Sequence, residues 1–479
     1  MMRSPAETAA ASVGGALTGV VTGSVHPTAN AAQMIATRRR AARSAPGGAI
    51  EETSQWLAGA ARLVRRSGAQ PLLVAASLAA GTVPAAAQVE FGGQATALVT
   101  RADPVPGDSS LIEPRLVAPV LFASAEAFGG RLRLHAMIDG EGWTMRNGQL
   151  ALGAWGEGFY DRRHPHTWAH ELIASWTTAR VSGLQWSVSG GKGFAPYGSD
   201  DPMSRPVLMY PVNHHWAQVL ERAVLIAGAR RGPVTLEGGL FNGDEPERFS
   251  EWPKWSRFGD SWSARALIHP APTLELQASF AHVKSPEDRA GAGPLNQKVS
   301  VSARLERPLG PGTLYGLAEF TSNSESSGFI VFHSELVEAE FRHGGHRHYF
   351  RVERADRPED QRVFGDPYRS PRPPNDNSLI GITRWVTTTA GSAFGLPRPV
   401  DAVRTELIVE LAWAHVTSVQ GVFDPATFYG RNDLWMVSVG IRVSAGMAMH
   451  RMGRYGVAAG HDAAGTMAPM PGMPGMPGQ

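Results

Sequence analysis

Lys298 to Arg307 reads Lys-Val-Ser-Val-Ser-Ala-Arg-Leu-Glu-Arg, and every second residue has the same character. Val299, Val301, Ala303 and Leu305 fall on one side of an extended chain; Lys298, Ser300, Ser302, Arg304 and Glu306 fall on the other. A period of two leaves no helical alternative. Near the end of the chain Trp435, Val437, Val439, Ile441 and Val443 alternate in the same way with Met436, Ser438, Gly440, Arg442 and Ser444. Repeated along a cysteine-free chain, the pattern predicts an all-β fold: an antiparallel transmembrane β-barrel of about 16 strands (about 14 to 18), apolar towards lipid and polar towards its lumen.

The chain has 479 residues, with 54 Gly and 35 Pro to serve many turns. No apolar run is long enough to span a membrane as a helix. The lack of cysteine excludes disulfides, thiolate metal sites and cysteine nucleophiles. Arg62, Arg65 and Arg66 precede an apolar run from Pro71 to Ala80, then Ala85-Ala86-Ala87 and Gln88. Positive residues, a short apolar stretch and small residues at a cleavage point are the marks of a secretory signal peptide over 62–87, with a mature start near Gln88. Residues 1–61 read as an unstructured or over-extended N-terminal segment. Eight basic and three acidic residues lie before Gln88, leaving 37 and 40 after it, so the mature chain is mildly acidic and nucleic-acid binding loses its support.

Residues 88–446 are expected to form the barrel. Strands are predicted over 91–101, 116–128, 130–140, 149–158, 171–182, 183–191, 219–229, 233–241, 262–270, 273–284, 297–307, 313–322, 329–342, 347–355, 378–389, 404–416 and 433–444, with a polar loop over 102–114. His343-Gly344-Gly345-His346 and Pro308 to Gly312 suit tight hairpins. The connections 192–216, 242–261 and 354–377 are long, and short turns on one side with long loops on the other are the outer-membrane arrangement. Nine tryptophans, among them Trp176, Trp186, Trp216, Trp385 and Trp435, are candidates for interfacial girdles. Charges at mid-membrane belong to the lumen, which places Lys298, Arg304, Glu306, Glu338, Glu340, Arg342, Arg347, Arg351, Glu353, Glu406 and Glu410 inside, either as a mutually paired network or along an ion pathway.

Two stretches carry metal-ligand chemistry. Asp161 to Leu172 holds His164, His166 and His170 beside Glu171, and His214-His215 follow at the end of a long loop. Imidazole is a common transition-metal ligand and carboxylates complete or orient such sites. The end of the chain holds Met447, Met449, Met452, Met467, Met470, Met473 and Met476 with His450 and His461. Its Pro and Gly content reads as a flexible tail over 447–479. Soft thioethers suit Cu(I) and imidazoles suit Cu(II), which makes a copper ion the expected ligand.

Residues 159–290 resemble a little-characterised family of bacterial outer-membrane proteins with a D-R-Q-H-P-H-D segment followed by Glu-Leu, an H-H pair, F-x-G-R-E-P-D-E and a strand ending near S-P-E. Here these are Asp161–His166, Glu171-Leu172, His214-His215, Phe241–Glu247 and Ser285-Pro286-Glu287. Arg163, Thr167 and Asp244 depart from that pattern. The family is often met beside genes for copper or heavy-metal handling, so the resemblance implies a metal connection at the outer membrane.

The expected function is therefore a bacterial outer-membrane barrel that binds or passes a transition metal. Its expected partners are outer-membrane lipid, the barrel assembly machinery and periplasmic metal-handling proteins. The alternative is a porin-like channel for small polar solutes. A lumenal hydrolase using His170, Glu171 and Ser175 or Ser189 is the weaker reading: no G-x-S-x-G element is present, and no enzyme activity is expected.

Overall fold

The computed structural model describes residues 88–461 apart from 146–147, 155–165, 213, 247, 285–292, 294, 329, 361–378, 398–399 and 401. The first eight strands are β1 (Gln88–Val105), β2 (Ser109–Ala127), β3 (Leu132–Asp139), β4 (Ala169–Thr177), β5 (Leu184–Gly193), β6 (Arg222–Arg231), β7 (Val234–Phe241) and β8 (Ser261–Ala271). The second eight are β9 (Leu274–Lys284), β10 (Leu295–Leu309), β11 (Gly312–Glu325), β12 (Ile330–His343), β13 (His346–Asp360), β14 (Leu379–Gly395), β15 (Val403–Gly421) and β16 (Asp433–Gly446). Each pairs antiparallel with its sequence neighbours, and β16 pairs with β1, so the sheet closes into a 16-strand barrel with no free edge.

The alternation in β10 decides which solvent each face meets. Lys298 is 2% exposed while Val299 is 42% exposed. A water-soluble sandwich would show the reverse. In β10 Lys298 pairs with Asn323 and Val301 with Phe320, so lumen meets lumen and lipid face meets lipid face across the ladder. Trp176 and Trp186 stand exposed near one rim, Trp262 and Trp435 near the other, as interfacial aromatics do. Trp216 and Trp385 are not in these girdles. Trp216 stacks on Phe332 with centroids 4.7 Å apart, and Trp385 donates to Thr383 Oγ1 at 2.9 Å, both inside.

Hairpins at one end are tight. Gly344 and Gly345 both take positive φ (57° and 86°), the conformation a two-residue turn needs between β12 and β13. Gln88 pairs with Glu126 and Gly446 with Gly92, so β1 begins and β16 ends at this short-turn end.

Three predicted segments differ. Residues 102–114 are not a loop: β1 runs to Val105 and β2 starts at Ser109, with Pro104 at a register shift where the ladder is already interrupted. Residues 149–158 do not supply a strand over 149–154; Leu152–Ala154 make one 3-10 turn. Leu150 and Leu152 are apolar because they pack inside, against a cluster with Met209 and Tyr429. The third difference is the C-terminal segment. Residues 447–461 turn back into the lumen instead of forming a free tail. Arg451 pairs with Asp200 at 2.6 Å and Glu275 at 2.9 Å, Arg265 donates to the Gly453 carbonyl at 2.6 Å, and Tyr455 OH accepts from Phe194 N at 3.1 Å. Met452, Tyr455 and Val457 are buried because the lumen supplies an apolar core for them.

The loop between β5 and β6 (194–221) also lies inside, and the inward charges hold it. Glu410 accepts from Leu208 N at 2.8 Å and Met209 N at 3.0 Å, Glu353 from Val212 N at 2.9 Å, and Lys298 Nζ donates to the His215 carbonyl at 2.7 Å. Arg351 donates to the Met209 carbonyl at 2.6 Å and pairs with Glu338 at 2.9 Å. Arg351→Ala strands the buried Glu338 carboxylate and is expected to cost about 3 to 5 kcal/mol, read as a lower urea midpoint of the lipid-inserted barrel. An unchanged midpoint would show that the loop is held without it.

Candidate metal centre in the lumen

Two side chains of one strand end start the site. β3 ends at Asp139, and Glu141 opens a short helix, α1 (Glu141–Thr144). Asp139 Oδ1 accepts from Glu141 N at 2.8 Å, and Glu141 Oε1 accepts from Ala118 N at 2.8 Å. That Ala118 amide is available because β2 breaks register between its pairings with Thr96 and Gln94, and Ala118 takes a φ of +46°, unusual for a residue with a Cβ. Each carboxylate thus has one oxygen fixed by backbone and its second oxygen aimed at the same place.

The imidazoles arrive from the other side. β4 carries a register shift against Met137 and Ile138, between Glu171 and Ala169. Strict alternation would send His170 and Glu171 to opposite faces; the shift buries both in the lumen. His170 Nδ1 bonds to Glu221 Oε1 at 2.9 Å. Glu221, itself at a φ of +58°, also accepts from Thr167 Oγ1 at 2.6 Å and from Lys192 Nζ at 3.0 Å. With Glu221 on Nδ1, Nε2 is the ring nitrogen of His170 that remains for another partner. His166 Nδ1 lies 3.8 Å from Asp139 Oδ2 and 3.8 Å from Glu141 Oε2. Ligand atoms of Asp139, His166 and His170 fall within 4.8 Å of one another. Asp139 Oδ2, Glu141 Oε2 and His170 Nε2 are buried and make no hydrogen bond among the described residues.

Two close buried carboxyls resist carrying two negative charges. Burial, and then the neighbouring Asp139, push the Glu141 carboxyl well above the usual carboxylate range. Burial acts on Glu221 in the same direction, but Lys192 and His170 outweigh it and keep that carboxylate ionised. Burial raises Asp201 to about 6, partly offset by His170 and by the Met203 amide.

The sequence-predicted ligands separate into groups. His166 and His170 enter the centre. Glu171 turns away from it and pairs with His450 at 2.8 Å, and His450 stacks on His135 with centroids 4.5 Å apart. His214 and His215 do not join the centre: His214 packs against Tyr210, which stands between it and His166. Met447 and Met449 line a separate cavity and Met452 is buried in the apolar core. His164, Met467, Met470, Met473 and Met476 lie outside the described residues, as does the side chain of His461. Asp139, Glu141 and Glu221 were missed. Asp139-Gly140-Glu141 at a strand end was the visible signal; Glu221 had none. Ser175 and Ser189 bond to each other at 2.9 Å, away from a nucleophile arrangement with His170.

No protein-family model matches the chain, and no curated protein matches it. Solved structures that resemble it include outer-membrane proteins. An anion-selective porin from Comamonas acidovorans shares 13% identity at a TM-score of 0.47, covering 75% of this chain and all of the porin. A loop-deleted OmpT, an outer-membrane protein of Vibrio cholerae, shares 9% at 0.43 over 75% of this chain and 99% of its own. OccK2 of Pseudomonas aeruginosa shares 10% at 0.33 over 75% and 98%. The assignment as an outer-membrane-type, porin-like barrel rests on this chain's own strand closure and inverted polarity.

The raised Asp201 gives a pH signature. Its folded pKa exceeds its unfolded value, so the folded state holds the extra proton and stability falls as pH rises from about 4 to about 6. Asp201→Asn should flatten that slope in urea unfolding measured across the window; a slope unchanged by the substitution would contradict the burial of the charge.

Proposed function

We propose that this is a porin-like outer-membrane barrel whose lumen holds a divalent transition metal at Asp139, Glu141, His166 and His170, in a role in metal handling. The observation that carries the reading is the convergence of two backbone-anchored carboxylates and two imidazoles on one buried place, with Glu221 orienting His170. A carboxylate behind a ligating histidine is the usual outer partner of such a site. Two nitrogens and two oxygens suit Cu(II) or Zn(II) better than Cu(I), and Cu(II) is the tightest binder of the divalent series, so copper is the first ion to test. A bound divalent ion would supply the positive charge that the close carboxylates lack.

Calorimetric titration of the folded barrel with Cu(II) and Zn(II) is expected to give one site. The pair His166→Ala/His170→Ala should abolish it, and Glu221→Gln should weaken it about 10- to 100-fold, the usual effect of losing an outer partner. Copper bound at this centre should show nitrogen hyperfine coupling that the double variant loses. Absence of stoichiometric binding, or binding unaffected by the double variant, rejects the reading.

A second reading, a channel for small polar solutes, is favoured by a separate cavity of about 540 Å³ towards the short-turn end. Conductance in a planar bilayer tests it; a barrel that never conducts would exclude it.

A further inference from the structure

The cavity at the short-turn end is lined by seven arginines and four carboxylates, and its charge does not cancel. Most of these groups are committed to each other. Arg304 and Arg342 share Glu306, Arg342 and Arg347 share Glu340, and Arg347 bonds Glu406 through two nitrogens at 3.1 and 2.9 Å. Arg205 and Arg451 reach Glu319 and Asp200. Arg404 and Arg442 stand outside that network. Arg442 bonds Thr96 Oγ1 at 3.3 Å and has no carboxylate within ion-pair distance among the described residues; nor has Arg404, which is exposed towards the cavity.

The barrel register brings these two together. Arg404 on β15 lies opposite Ser444 on β16, and Arg442 lies opposite Glu406. The arginines are therefore diagonal neighbours on the inward face, about 7 to 8 Å apart at the backbone. That spacing leaves room for one small oxyanion between two guanidinium forks, each able to donate two parallel hydrogen bonds to a phosphate or carboxylate. Met447 and Met449 of the re-entrant C-terminal segment also line the cavity and add no competing carboxylate.

We propose that this vestibule is a binding site for a small oxyanion, phosphate or carboxylate, held between Arg404 and Arg442. It shares no residue with the metal centre and stands independently of it.

Inorganic phosphate is the probe, titrated by calorimetry into the full-length folded barrel at low ionic strength. Saturable binding is expected, weakening as KCl is raised, because the exposed Arg404 faces water. Arg404→Gln should weaken it about tenfold, as expected when one charge-assisted partner is lost, and Arg404→Gln/Arg442→Gln should abolish it. Arg404 is exposed and makes no ion pair among the described residues, so the single variant is expected to fold, which the heat-dependent shift in electrophoretic mobility checks. Arg101→Gln, an exposed position at the far end of β1, should bind as the wild type does. No saturable binding by the wild type, or equal affinity in Arg404→Gln, overturns the proposal. Loss of phosphate binding in His166→Ala/His170→Ala with retention in Arg404→Gln would place the anion at the metal centre and overturn it too.

Discussion

The inversion of polarity across the sheet governs the rest of this molecule. Lipid accepts Val299, Val301 and Val439 on the outside, so charges such as Lys298, Glu338, Arg351 and Glu410 are driven inward. Those charges cannot remain bare in a narrow, largely filled space. They pair with one another and with backbone groups, and the nearest backbone that can answer them is that of the long loops. Glu353, Glu410 and Arg351 each bond the loop between β5 and β6. The wall that keeps lipid out is therefore also what draws the loop in, and the loop brings its own apolar residues to a core inside the barrel.

The same inward pressure shapes the metal centre, with backbone irregularity as the device. A regular strand offers the lumen only alternate residues. Register shifts in β2 and β4 break that rule. One turns the Ala118 amide to Glu141; the other lets His170 and Glu171 face the same side. Ala118 and Glu221, both at positive φ, flank the centre. Such conformations persist where surrounding contacts over-determine them, and they cluster at functional sites. His170 and Glu171, adjacent in sequence, then serve different partners, Glu221 and His450.

Legibility in the sequence followed periodicity. Strands with one lipid face and one lumen face, such as β10 and β16, alternate cleanly and were readable, as was the Gly344-Gly345 turn. Residues 149–154 were misread because Leu150 and Leu152 imitate a strand while packing within the lumen. The C-terminal segment was misread because its glycines and methionines suggest a free tail, whereas Arg451 and Arg454 find Asp200 and Glu275 across the barrel. Of the candidate ligands, His166 and His170 were visible as a local cluster. Glu221 was not, because its role arises from a contact 51 residues away in sequence.

The sequence by itself determined the barrel, its approximate strand number, the face that meets lipid and the inward placement of the charges. These are local properties: an alternation of two is set by backbone geometry and needs no knowledge of distant residues. Only the tertiary structure decided which inward groups meet. The convergence of Asp139, Glu141, His166 and His170, the diagonal pairing of Arg404 with Arg442, and the return of residues 447–461 into the lumen all depend on barrel closure and on breaks in strand register. Those are collective outcomes of pairing and packing, and no short stretch of the chain encodes them.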